Sequence, residues 1–133
     1  MPLSRRDTLV DYLAAFDALV EVGVGNRPDV AEALADRGCT VVATDIYDRP
    51  VPDGVRFVRD DVTDPDESVY ADADAVYARN LPPELHRPTR EVARRHDAAF
   101  CFTTLGGEQP LVPVHRETVV EGTLFVADGD RPA

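Results

Sequence analysis

Three short stretches of the chain carry side chains able to hold a ligand or to act on one. The first is Glu21-Val22-Gly23-Val24-Gly25-Asn26, an acid ahead of a Gly-x-Gly pair, with Asp45 twenty residues beyond Gly25. Glycines let the backbone turn sharply and approach a ligand closely, and a carboxylate at about that distance along the chain can accept hydrogen bonds from both hydroxyls of a ribose. This is the layout of a nucleoside site. The second stretch is Arg79-Asn80-Leu81-Pro82-Pro83-Glu84, whose guanidinium could grip an anionic acceptor with two parallel hydrogen bonds. The third is Gly106-Gly107-Glu108, whose carboxylate is a candidate general base. Plainer roles compete for each. The glycines can serve a tight turn alone, Asp45 and Asp48 can be solvated loop acids, and Asp60, Asp61, Asp64 and Asp66 can form an acidic surface. Arg79 can pair with a carboxylate, Glu108 can be a solvated loop acid, and Pro82-Pro83 can be a stiff helix start. Cys39 and Cys101 lack metal-ligand spacing and read as two small buried thiols, so no metal is expected; His86, His96 and His115 receive no role.

The elements that must position these residues are legible from periodicity. Leu9, Val10, Leu13 and Phe16 mark a leading helix over residues 5–17, and residues 18–24 form an apolar strand ending in the glycine loop. Pro28 suits the first position of a following helix and Gly38 its exit. Residues 40–44 read as a buried strand delivering Asp45, and 55–58 as another delivering Asp60 and Asp61. A strand at 75–78, a helix from Pro82 to about His96 and a strand at 98–103 follow. The pattern then weakens, with Pro110 and Pro113 before a last strand at 123–127 and an expected edge hairpin. Strands alternating with helices imply an α/β fold of Rossmann-like, doubly wound type: a mainly parallel sheet with helices on both faces, formed as a single domain over residues 1–133. The 18–24 strand should be central, between the strands ending at Asp45 and Tyr77, with ligands bound beyond the strands' carboxyl ends.

Charge describes habitat more than substrate. The chain of 133 residues has a net charge of -11, reached with 17 Asp, 8 Glu, 14 Arg and no Lys. Short, strongly hydrated Asp without Lys suits a cytoplasm of molar salt, where repulsion is screened within a few ångströms, and points to a halophilic archaeon. Acidity of that origin does not exclude nucleic acid as a partner. No apolar run approaches the ~18 residues of a membrane span, and the start lacks the apolar segment of a secretory signal, so a soluble cytoplasmic protein is expected.

Departures from the dinucleotide fingerprint select the nucleoside. Its third glycine would fall at Pro28, and Asp29 and Glu32 occupy the first turn of the next helix, the positive end that a pyrophosphate would want. A ligand without phosphate and with a positive sulfonium fits better. The loop from Glu21 to Gly25 and Asp45 resembles that of class I S-adenosylmethionine-dependent methyltransferases over residues 18–104. More closely, Val20-Glu21-Val22-Gly23-Val24-Gly25, Ala43-Thr44-Asp45-Ile46, Asp60-Asp61-Val62, Tyr77-Ala78-Arg79 with Pro82-Pro83-Glu84-Leu85, and Leu105 with Glu108 resemble the archaeal uncharacterised protein family 0146.

The resemblance implies S-adenosylmethionine as cofactor. Glu21, Gly23 and Gly25 would shape the methionine pocket, Asn26 would bind the cofactor at the mouth of the cleft, Asp45 would hold the ribose, and Asp61 with Val62 would face adenine. Arg27 stands where methyltransferases often have a third glycine and would crowd the methionine end. The acceptor, which the sequence does not identify, would meet Arg79, Asn80 and Glu108. Asn80 with Pro82-Pro83 is similar, in part, to the Asn-Pro-Pro-aromatic loop of enzymes that methylate exocyclic amines, with Leu81 interrupting it and Glu84 in the aromatic position. A non-catalytic nucleoside-binding or scaffolding module is the alternative, and a nicotinamide-dependent oxidoreductase a weaker one. A homodimer or protein partner is expected to supply a wall for the cleft, because the residues beyond 104 are too few to close the sheet edge and also build a lid.

Overall fold

The computed structural model describes residues 7–128. Seven strands form one sheet: β1 (Ala18–Val22), β2 (Thr40–Asp45), β3 (Val55–Arg59), β4 (Ala75–Ala78), β5 (Ala99–Phe102), β6 (Val114–Val119) and β7 (Gly122–Ala127). Their order is β3-β2-β1-β4-β5-β7-β6. The first five run parallel, whereas β7 is antiparallel to both β5 and β6. The strand bearing Val20 is thus central, flanked by β2 and β4 as its sequence predicts. Order reverses beside β1, which opens a crevice at the carboxyl ends of β1, β2 and β4.

Side chains alternate across β1, so each face gathers its own core. Leu19 packs with Leu9 and Leu13 of α1 (Leu9–Leu13) and with Val30, Ala31 and Leu34 of α2 (Asp29–Asp36). Val20 and Val22 pack with Tyr70 of α3 (Glu67–Tyr70) and with Val92 and Ala93 of α4 (His86–Arg95). Helices therefore cover both faces, and both cores are built mainly from Val, Leu and Ala with aromatic residues concentrated near β5.

Several boundaries differ from the sequence reading, each for a local reason. Within the described part of the expected 5–17 helix, only Leu9–Leu13 is helical; it opens on a capping box in which Thr8 and Asp11 satisfy each other's backbone N–H groups. β1 stops at Val22 because Gly23 takes φ of +74°. Pro28 is the N-cap of α2 rather than its first residue. The helix after Pro82 begins as a 3-10 turn over Pro83–Leu85 before α4. Asp66 caps the short α3 inside what reads as an acidic loop. The hairpin partner β6 escaped assignment because His115, Arg116, Glu117 and Thr118 are all exposed on an edge strand, leaving no apolar alternation. Cys101 is buried, and burial pushes its thiol up to about 12; Cys39 is only partly covered, so one of the two thiols departs from the expected burial.

Candidate functional site at the carboxyl ends of the strands

The glycine loop leaves β1 at the switch point and is tied to β2. Gly23 and Val24 donate their N–H groups to Thr44 O at 3.0 and 2.9 Å. Gly23 and Gly25 have φ of +74° and +58°, a region that residues other than glycine rarely adopt, and beyond the flanking residues no protein atom lies within 4 Å of where a Cβ would stand on either. The loop therefore presents bare backbone to open space. Asp45, at the end of β2, reaches back to it: Oδ2 accepts from Gly25 N at 2.8 Å and Oδ1 from Tyr47 N at 3.0 Å. Asp45 is buried, and the plain alternative of a solvated loop acid is excluded for it.

Glu21 is 1% exposed and lies opposite Tyr77 in the β1–β4 register, so the two side chains share a face. The Tyr77 hydroxyl donates to Glu21 Oε1 at 2.8 Å. Burial pushes the Glu21 carboxyl up to about 7, against the lowering influence of Tyr77 and of the Arg79 charge. Burial and the nearby Glu21 together push the Tyr77 phenol far above its ordinary range. This pair sits directly below the glycine loop, where a cationic ligand would favour the ionised form of Glu21.

The remaining expected residues divide. Asn26 is exposed, and its Oδ1 accepts from Arg49 Nη1 at 3.0 Å. Asp61 is exposed, with Oδ1 accepting from the N–H and hydroxyl of Thr63, bonds that hold its carboxyl below the usual range. Val62 is buried in the core shared with α3 and α4, so its side chain does not face outward. Ile46 and Tyr47, directly after Asp45, are exposed apolar side chains at this end, as is Leu105 after β5.

Arg79, Asn80 and Glu108 line one cleft of about 540 Å³, together with Asp29, Thr103, Arg116 and Glu121. Four separated stretches thus meet in this cleft, whose lining includes neither residues 21–26 nor Asp45. Arg79 is already engaged: Nη1 donates to Asp29 Oδ1 at 2.9 Å and to Arg27 O at 3.3 Å, strapping β4 to the start of α2. Asn80 holds φ of +54°, with its N–H donated to Thr103 Oγ1 at 2.8 Å. A non-glycine residue in that conformation stores strain at the head of the cleft.

Sequence reasoning missed Thr103, Tyr77 and His86. Thr103 stands just after β5 as Asp45 ends β2, which was its one signal. His86 is fully buried; its Nε2 bonds Leu81 O at 3.0 Å while Leu111 N–H donates to Nδ1 at 3.1 Å. Nδ1 must be unprotonated to accept, so the ring is neutral with its proton on Nε2. His86 thereby ties the loop that carries Arg79 and Asn80 to the loop that carries Glu108.

Known proteins bear on this geometry. A protein of Halobacterium salinarum described as a UPF0146 protein is 57% identical over 126 residues, covering 94% of this chain and 98% of that protein. A UPF0146 protein of Archaeoglobus fulgidus is 41% identical over 102 residues, 75% of this chain and 78% of its own. Among solved structures, an RNA methyltransferase from Salinibacter ruber in complex with S-adenosyl-L-homocysteine superposes with a TM-score of 0.64 at 18% identity, over 93% of this chain and 90% of that one. A TehB-like SAM-dependent methyltransferase from Corynebacterium glutamicum gives 0.57 at 15% identity, over 83% and 78%. These structural likenesses establish an α/β, Rossmann-like fold. With a family model matching residues 7–129, the chain belongs to the Uncharacterised protein family (UPF0146).

Proposed function

We propose that this chain binds S-adenosylmethionine beside Gly23 and Gly25 and transfers its methyl group to a polar acceptor held in the Arg79, Asn80 and Glu108 cleft. One observation carries the reading: two left-handed glycines present bare backbone to open space at the sheet's switch point, with a buried carboxylate bonded to one of them. The residues fit the group. Gly23 and Gly25 admit its close approach, and Asp45, with two of about four acceptor positions used, retains two for ribose hydroxyls. Glu21 offers negative charge below the loop, and Asp29 and Glu32 in the first turn of α2 disfavour a pyrophosphate, hence a nicotinamide dinucleotide. Bound there, S-adenosylmethionine supplies a methyl group on a positively charged sulfur. Asn80 and Thr103 orient the acceptor, and Glu108 takes the proton that it releases.

A second reading, a nucleoside-binding module without catalysis, is favoured by the engagement of Arg79 with Asp29, which leaves the cleft one cation poorer. Calorimetry with S-adenosylmethionine, S-adenosylhomocysteine and NAD in multimolar KCl, followed by methyl-transfer assays on fractionated cell extract, tests both. Binding of the S-adenosyl ligands over NAD supports the site, and turnover supports the enzyme; NAD binding more tightly refutes the S-adenosylmethionine assignment. The polar cleft mouth is further proposed to be closed by a second copy of the chain or another protein, which light scattering at high salt checks. The composition, with the Halobacterium likeness, supports a cytoplasmic protein of a halophilic archaeon.

A further inference from the structure

One side chain stands across the face of Asp45 that a ribose would need. Arg49 lies four residues beyond Asp45, and its side chain turns back toward the glycine loop. Nη1 donates to Asn26 Oδ1 at 3.0 Å, Nε lies 3.5 Å from Asp45 Oδ1, and the guanidinium carbon is 5.4 Å from the centre of the Tyr47 ring. Only 25% of the Arg49 side chain is exposed, although Asn26 and Tyr47 on either side of it are both exposed. The arrangement is imperfect at one atom. Nε is buried without a hydrogen-bond acceptor, because Asp45 at 3.5 Å offers charge attraction but not a well-formed bond. A contact that leaves a buried donor unsatisfied is readily exchanged for one that satisfies the same carboxylate better.

We propose that Arg49 is a latch over the nucleoside site, holding Asn26 and Asp45 together and swinging out when ribose hydroxyls donate to the Asp45 carboxylate. The proposal rests on the nucleoside reading above and adds its regulation. The carboxylate decides the exchange. Gly25 and Tyr47 N–H groups already occupy one acceptor position on each oxygen, and about two positions remain. Two hydroxyls fill them, and the guanidinium then has no place at Asp45. Release also frees Asn26, which turns the glycine loop's exposed amide toward the incoming ligand. A phosphate on the ribose would suit Arg49 directly, but the Asp45 charge beside it opposes an anion there.

The test is calorimetric titration of S-adenosylhomocysteine into the wild type, Arg49→Ala, Arg49→Gln and Asp45→Ala at one KCl concentration, with circular dichroism checking that each is folded. A latch closed about nine-tenths of the time makes either Arg49 variant bind about tenfold tighter than wild type, while Asp45→Ala weakens binding. Two variants guard against one failing to fold. Wild-type binding with no gain in either Arg49 variant overturns the latch and leaves the nucleoside site standing. No binding to any of the four overturns the nucleoside reading and the latch with it. Adenosine 2′-monophosphate binding more tightly than S-adenosylhomocysteine, with that preference lost in Arg49→Ala, also overturns the latch by making Arg49 a phosphate ligand.

Discussion

Replacing Glu21 by Gln isolates the cost of holding an ionised carboxylate between β1 and β4. The side chain is 1% exposed and accepts from the Tyr77 hydroxyl, a bond that the Gln oxygen can keep. Burial raises its pKa from an ordinary 4.5 to about 7. Between those values the folded chain holds a proton that the unfolded chain has lost, so this residue's contribution to stability is full below pH 4.5, falls as pH rises, and levels off above about pH 7. A shift of that size corresponds to about 3 kcal/mol, most of which develops between pH 5 and pH 8. Gln cannot ionise and escapes the loss. Urea unfolding followed by circular dichroism at constant KCl, at several pH values across this window, should show the Glu21→Gln advantage over wild type growing by that amount. Parallel profiles for the two proteins would mean that the carboxylate is solvated or paired in the fold, and the reasoning from burial would fail.

Asp45→Ala should weaken S-adenosylhomocysteine binding by about 1.5 to 3 kcal/mol, as two charge-assisted hydrogen bonds are lost, whereas Asp48→Ala changes it little; equal effects in calorimetry would refute the ribose assignment. Gly25→Ala meets no steric neighbour but must adopt φ of +58°, so thermal unfolding should show a loss of about 1 to 2 kcal/mol, and an unchanged melting point would mean that the loop relaxes. His86→Phe places a somewhat larger, wholly apolar ring in the same site and leaves Leu81 O and Leu111 N–H without their partner, a cost of about 2 to 5 kcal/mol. Hydrogen exchange should localise the loosening to residues 80–82 and 104–113, and uniform loosening would contradict the tie that His86 makes between these loops. Finally, the melting midpoint should climb steadily with KCl into the molar range, as screening relieves the repulsion of a chain with net charge -11; a midpoint independent of salt would refute the halophilic reading.

Much of this protein follows from local pattern alone. The apolar runs at 18–24, 40–44 and 75–78, separated by helical periodicity, dictate a parallel sheet because crossovers of one hand leave few other solutions, and Gly23, Gly25 and Asp45 announce the switch-point loop by type and spacing. Those signals survive in one dimension because each is a repeat or a fixed interval. What the tertiary structure decided is everything that depends on which distant groups compete for the same partner. No interval in the chain relates Arg79 to Asp29, Arg49 to Asn26, Tyr77 to Glu21 or His86 to Leu111, yet these contacts determine which charges remain for a ligand. Val62, which the methyltransferase resemblance places facing adenine, is instead buried by the packing of α3 and α4. Edge strand β6, polar because one side of it meets water, emits no periodic signal at all, and only its pairing with β7 makes it a strand.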